Sequence, residues 1–152
     1  MSIGRVSLPW IKQGVDTFKQ RISKYAKFSL KELPDIRNAG SLPLSRIKEE
    51  EGKLILNEIT QSDLICILDE KGKEFTSREF SHWVQKQLAS GRKRLVFIIG
   101  GPFGFSQDVY DRGDYKLSLS KMTFTHEMAK LFFTEQIYRA FTILNNEPYH
   151  HD

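Results

Sequence analysis

Two runs of small residues hold the groups from which chemistry can be built. The first, Gly100-Gly101-Pro102-Phe103-Gly104, follows the apolar run Leu95-Val96-Phe97-Ile98-Ile99. Glycines let the main chain take positive φ and let a ligand approach backbone N–H and C=O groups closely. No Gly-Lys-Ser/Thr follows, so this is not a P-loop, and it lacks the G-x-G-x-x-G spacing with a later acidic partner. Ordinary turn chemistry accounts for it as well as a ligand site does. The second run, Ser118 to Thr125, supplies hydroxyls and backbone donors directly before a helical pattern, whose N-terminus attracts polar or anionic groups. Thr125 stands as the N-cap, with Glu127 in the first turn. Two strands that each end in such a loop describe a ligand held at the carboxyl edge of an α/β sheet.

Other reactive residue types are sparse. His126, at the start of the long helical pattern, reads first as a hydrogen-bonded structural histidine. Tyr149-His150, near the end of the chain, read by position as a frayed terminus. The four histidines have no metal-ligand spacing with Cys66 or with carboxylates, so no metal is expected. No Ser/His/Asp arrangement is legible by spacing.

The elements that must position these loops follow from hydrophobic periodicity. Ile11, Val15, Phe18, Ile22 and Tyr25 form one stripe of an amphipathic helix over 10–26, whose lysines and arginines make either a solvated face or a phosphate-contacting one. Phe28 to Leu33 alternates as a half-buried strand, and 34–43 is a loop. Leu44, Ile47, Leu54, Ile55 and Ile59 mark a second helix, partly exposed at Lys48 to Glu51. Asp63 to Leu68 is a continuous apolar strand covered on both faces, ending in a turn at Asp69-Glu70-Lys71-Gly72. Thr76 and Glu79 form a capping box for a helix with Phe80, Val84 and Leu88 inward, closed by Gly91. Arg92-Lys93-Arg94 are expected in solvent. The last helix, to Leu144, carries a polar stripe of Glu135, Tyr138, Arg139 and Thr142. It is otherwise so widely apolar that a partner subunit is expected to cover part of it. The alternation of strand and helix predicts one α/β domain over 1–152, a mostly parallel sheet flanked by helices.

Composition sets the frame. The 152 residues are 39% hydrophobic and 28% charged, ordinary for a folded soluble domain. No apolar run is long enough to span a bilayer, and no signal peptide is visible. The single cysteine excludes an intrachain disulfide, and a cytoplasmic location is the simplest expectation. A net charge of +4 and a pI near 9.2 suit a polyanionic partner such as RNA, but suit many enzymes equally.

The motifs in order are more specific. Ile98 to Gly104, Leu117 to Met128, Glu135-Gln136-Ile137-Tyr138-Arg139-Ala140 and Pro148-Tyr149-His150 resemble the ribosomal large subunit pseudouridine methyltransferase H family. That family is a small member of the SPOUT class of S-adenosylmethionine enzymes. The likeness spans nearly the whole chain, including Lys48 to Gly52 and Leu68 to Gly72. It implies a parallel α/β sheet whose C-terminal segment forms a trefoil knot, an exception to the usual connection rules. It also implies a homodimer, S-adenosyl-L-methionine as cofactor, and methylation of N3 of pseudouridine 1915 in helix 69 of 23S rRNA on the assembled 70S ribosome. Position by position, Leu68, Gly101, Ser120, Lys121, Met122, Thr123, Phe124 and Thr125 match the family's cofactor contacts. Tyr149 and His150 match its C-terminal pair beside the methyl group and target base, and Arg139 is an RNA- or cofactor-contacting candidate.

The family begins with a full apolar strand, whereas Met1-Ser2-Ile3-Gly4-Arg5 is short by several residues. A truncated first strand is therefore expected, with the neighbouring strand edge exposed. Methyl transfer to an imide nitrogen requires loss of its proton, so His150 is the expected base or base-positioning group and Tyr149 stacks on or orients the target. A non-catalytic ribosome-binding module, or a SPOUT enzyme of another RNA site, are the alternatives.

Overall fold

The computed structural model describes residues 1–150. Along them run β1 (Ser2–Ile3), α1 (Pro9–Ile22), β2 (Glu32–Leu33), α2 (Leu44–Leu56), β3 (Asp63–Lys73), α3 (Ser77–Leu88), β4 (Arg94–Ile99), α4 (Gln107–Arg112), β5 (Tyr115–Leu117) and α5 (His126–Leu144). A short 3-10 turn occupies Ala39–Ser41. The strands pair in parallel in the order β2-β1-β4-β3-β5.

The continuous apolar runs of β3 and β4 are explained by helices on both faces of the sheet. Cys66, Phe97 and Ile99 point to the side of α3 and α5, where Phe80, Val84, Phe133 and Ile137 receive them. Ile65, Ile67 and Ile98 point to the other side, against Ile55 of α2 and Val109 of α4. The Phe97 and Phe133 rings are 4.7 Å apart at the centre of the first layer. Cys66 is fully enclosed there, and burial pushes its thiol up to about 12.

Several expectations need correction. Asp69 to Gly72 do not end the strand in a turn; β3 continues to Lys73. Leu117 of β5 pairs with both Leu68 and Lys73, so residues 69–72 arch away from the ladder between two points of pairing. Gly72 closes the arch by backbone contact: a Cβ there would stand 2.5 Å from the Leu117 carbonyl carbon and 2.6 Å from its nitrogen. The strand at 28–33 shrinks to Glu32–Leu33. In α3 the inward stripe follows Phe80, Val84 and Gln87, leaving Leu88 exposed at the last position. In α2, Glu51 lies on the buried stripe with Ile47 and Ile55 rather than on the exposed face. Arg94 is not simply solvated: its Nε and Nη2 donate to the buried Asp63 carboxylate at 2.7 and 2.5 Å, which holds that carboxyl well below the usual range.

Other expectations match. Thr76 and Glu79 exchange the two hydrogen bonds of a capping box, and Gly91 has φ +78°. β1 pairs with β2 and β4, meeting β4 at Ile99, while the Met1 amino group donates to Phe97 O at 2.8 Å.

The wide apolar surface of α5 is taken up largely within the chain, because α5 packs between α1 and α3. Leu131 seats directly over Gly14 of α1, where a Cβ would come within 2.7 Å of it. Lys130, on the same helix, is fully buried and donates to Gly4 O at 2.6 Å, with Glu32 at 3.6 Å. Phe132 remains exposed beside Phe124.

Gly72→Ala is expected to force β3 and β5 apart and to cost about 1–3 kcal/mol, read as a lower midpoint in urea unfolding. An unchanged midpoint would show that the arch tolerates a side chain.

Candidate active site

The carboxyl ends of β3, β4 and β5 converge on a cavity of about 410 Å³. Its walls are the arch Leu68–Lys71, the glycine loop from Ile99 to Phe105, the segment Leu117–Ser120 with Met122–Phe124, and His126 and Ala129 of α5. Each wall is fixed locally. Gly104 takes φ +80° and donates to Gly101 O at 3.3 Å, which folds the glycine loop back on itself. Ser118 N donates to Lys73 O at 3.0 Å, anchoring the second loop to the end of the arch. Ser118 Oγ donates to Ser120 O and Met122 N donates to Ser120 Oγ, both at 3.0 Å. Thr125 then caps α5, its hydroxyl accepting from Met128 N at 3.3 Å. Glu127, in the first turn, is buried and accepts from Ser7 Oγ and Leu8 N, and these bonds hold its carboxyl below its ordinary value.

Of the cofactor residues anticipated from the sequence, Leu68, Gly101, Ser120, Met122, Thr123 and Phe124 line this cavity. Lys121 and Thr125 do not: Thr125 serves as helix cap, and Lys121 is exposed on the loop. The arch residues Asp69, Glu70 and Lys71 were missed as wall residues because they read as a turn. Tyr110 was missed entirely. Its hydroxyl donates to Asp69 Oδ2, and burial together with that carboxylate pushes the phenol up to about 12. It therefore stays a donor at neutral pH and pins the arch. His126 joins the wall.

Tyr149, His150 and Arg139 form a second cluster, built on Glu135. Arg139 Nε and Nη2 donate to Glu135 Oε1 at 3.0 and 2.6 Å, and the Tyr149 hydroxyl donates to the same oxygen at 3.2 Å. The Arg139 guanidinium lies 4.8 Å from the Tyr149 ring centroid, and Tyr138 packs edge-on against that ring at 4.7 Å. Burial, then Glu135, raises the Tyr149 phenol above its ordinary value. Arg139 Nη1 is 3.3 Å from His150 Nδ1. The end of the chain as far as His150 is thus tied down rather than frayed. None of the three lines the cavity. Ala129 and Arg139 are ten residues apart on α5, about 15 Å at 1.5 Å per residue, so one chain does not bring the anticipated catalytic residues onto its own anticipated cofactor residues.

The model of the family described as "Predicted SPOUT methyltransferase" matches residues 1–150. The chain belongs to the SPOUT methyltransferase family. It is 49% identical over 149 residues to the Ribosomal RNA large subunit methyltransferase H of Christiangramia forsetii, covering 98% of this chain and 95% of that protein. It is 50% identical over 151 residues to the protein of the same name from Flavobacterium psychrophilum, covering 99% and 96%. The match to the SPOUT family spans the cavity and the Glu135 cluster alike, and it implies a methyl donor.

The residues present fit such a donor. The cavity has the volume usual for small-molecule sites. Gly101 keeps its wall thin, since a Cβ there would meet the Glu51 carboxylate at 2.6 Å. Among the described residues, no group of three or more His, Cys, Asp or Glu is placed to hold a metal ion, and no helix is long and apolar enough to cross a membrane.

Glu135→Gln is expected to release Arg139 and Tyr149 together. Hydrogen exchange at 147–150 should speed up, while overall stability changes by less than about 1 kcal/mol, as for partly exposed ion pairs. Unchanged exchange would mean that the tail is held by its ring packing instead.

Proposed function

We propose that the protein is an S-adenosyl-L-methionine-dependent rRNA methyltransferase that modifies N3 of a pseudouridine in helix 69 of 23S rRNA. It acts as a cytoplasmic homodimer of one domain over 1–152 on the assembled 70S ribosome. The observation that carries this reading is the near full-length similarity to Ribosomal RNA large subunit methyltransferase H proteins, from the cavity loops through the Tyr149-His150 tail.

When bound, the cofactor supplies an electrophilic methyl group on a sulfonium. Backbone groups of Leu68, Gly101, Ser120 and Met122 to Phe124 would hold it, leaving the exposed Met122 and Phe124 side chains at the mouth. On the RNA side, Arg139 Nη1 stands 3.3 Å from His150 Nδ1, which keeps the imidazole beside the guanidinium. His150 is the base or base-positioning group for the target nitrogen. The Arg139 charge, next to it, favours the imide anion that must form before methyl transfer. Tyr149, steadied by Tyr138 and Arg139, presents a ring on which a flipped base can stack.

The separation of cavity and cluster within one chain supports a site shared across a homodimer, in which the cluster of one subunit faces the cavity of the other. The exposed Phe124–Phe132 pair beside the cavity mouth is the apolar surface available for that contact.

Mass spectrometry of helix 69 from a deletion strain should show the methyl group missing, and restored by the wild-type gene. A Gly101→Val chain, whose side chain would collide with the Glu51 carboxylate and displace the cavity wall, and a His150→Ala chain should each be inactive alone. Co-expressed, a shared site predicts recovery to about one quarter of wild-type activity from random pairing of subunits. No recovery would place each site within one chain, and unchanged helix 69 would remove the substrate assignment.

A further inference from the structure

Among the described residues Glu51 has no partner. It is 5% exposed on the buried stripe of α2, and its carboxylate makes no hydrogen bond or ion pair among the described residues. A carboxylate so largely enclosed without a hydrogen-bond partner is desolvated at a cost that no contact in the fold offsets. Both of its oxygens press on Gly101, where a Cβ would stand 2.6 and 2.8 Å from them. Gly101 is a wall of the cavity, so a single stretch of backbone without a side chain separates this carboxylate from the cavity.

The groups around it do not neutralise it. Asp35, on the loop before α2, is the charged group that faces it, and burial and then Asp35 raise its pKa above the ordinary 4.5. Lys130 of α5 lies beyond Asp35 and is engaged by Gly4 O and Glu32, with Glu127 also near. Across α2's contact with α4, Ser106 Oγ faces Gly52 and is itself without a hydrogen-bond partner.

We propose that Glu51 is a charge-selecting residue: acting through Gly101, its carboxylate favours the cationic sulfonium cofactor over the neutral thioether left after methyl transfer. This rests on the reading of the cavity as an S-adenosylmethionine site. In the reaction the sulfur–methyl bond breaks and its electron pair stays on sulfur, while the methyl carbon bonds to the imide nitrogen, whose proton has already left. The cavity's ligand loses its sulfur-centred positive charge, and the attraction of Glu51 is lost with it. The ammonium and carboxylate of the amino-acid end are common to both ligands and do not contribute to the difference.

The sign of the pH dependence follows. A sulfonium favours the ionised carboxylate, so its binding expels a proton from Glu51 wherever the free protein holds one. Affinity for the sulfonium therefore rises with pH above 4.5 and levels off beyond the raised pKa, while affinity for the thioether does not follow Glu51.

Calorimetric titration of the full chain with S-adenosylmethionine and with S-adenosylhomocysteine, from about pH 5.5 to 8.5 in buffers of different ionisation enthalpy, tests this. Wild type is expected to release protons on binding the sulfonium at the acid end. Glu51→Gln should bind the sulfonium about tenfold more weakly, the factor equivalent to one pKa unit, with no linked proton and unchanged thioether affinity. Its Tm should rise by about 2–4 °C as the buried charge is removed. Equal weakening of both ligands in Glu51→Gln, or pH-independent sulfonium binding by wild type without proton release, overturns the proposal. Wild type that binds neither ligand overturns the cofactor reading beneath it.

Discussion

Leu117 pairs with Leu68 on one side of the arch in β3 and with Lys73 on the other, and the rest of the site hangs on that double pairing. A regular ladder would run Asp69 to Gly72 flat against β5 and fill the space at the sheet edge. Because the arch departs and returns, the edge opens into a cavity. Tyr110 can then reach Asp69 from below, and Ser118 N can take Lys73 O and lead the second loop over the top. The close backbone approach at Gly72 is what permits the return.

This constraint also marks where sequence reasoning stops. Asp-Glu-Lys-Gly has the composition of a turn, and only tertiary pairing with β5 overrides that preference. The glycine loop, the Thr76 capping box, the Thr125 cap and the long last helix were legible because each depends on local chemistry within a few residues. The six-residue α4 was not, being too short to show a period. Glu51 was hidden for a different reason. In the run Lys48 to Glu51 a helix places three polar side chains outward and one inward, and charge gives no hint of which. Arg94 was misjudged likewise, since its partner Asp63 is 31 residues away in sequence and adjacent only through the register of β3 on β4.

The resemblance to a known family named most of the cavity's donors but not their arrangement. Leu68, Gly101 and Ser120 meet around one space, while Arg139, Tyr149 and His150 gather on Glu135 farther along the same helix. α5 thus carries a cavity wall in its first turn and the Arg139–Tyr149–His150 cluster near its end, clasped between α1 and α3 over its length. Its apolar circumference serves the chain's own packing first, and Phe132, paired with Phe124, is its large apolar side chain left exposed.

Cys66 has a practical consequence. It is the chain's single cysteine, sealed between β3 and the α3–α5 layer with its thiol pushed up to about 12, so almost none of it is thiolate at neutral pH. Maleimide dyes and spin labels will pass it by. A second cysteine introduced on the surface becomes, without any background substitution, the sole address for a fluorophore, and the environment of the tail or the cavity mouth can be followed in an otherwise native sequence.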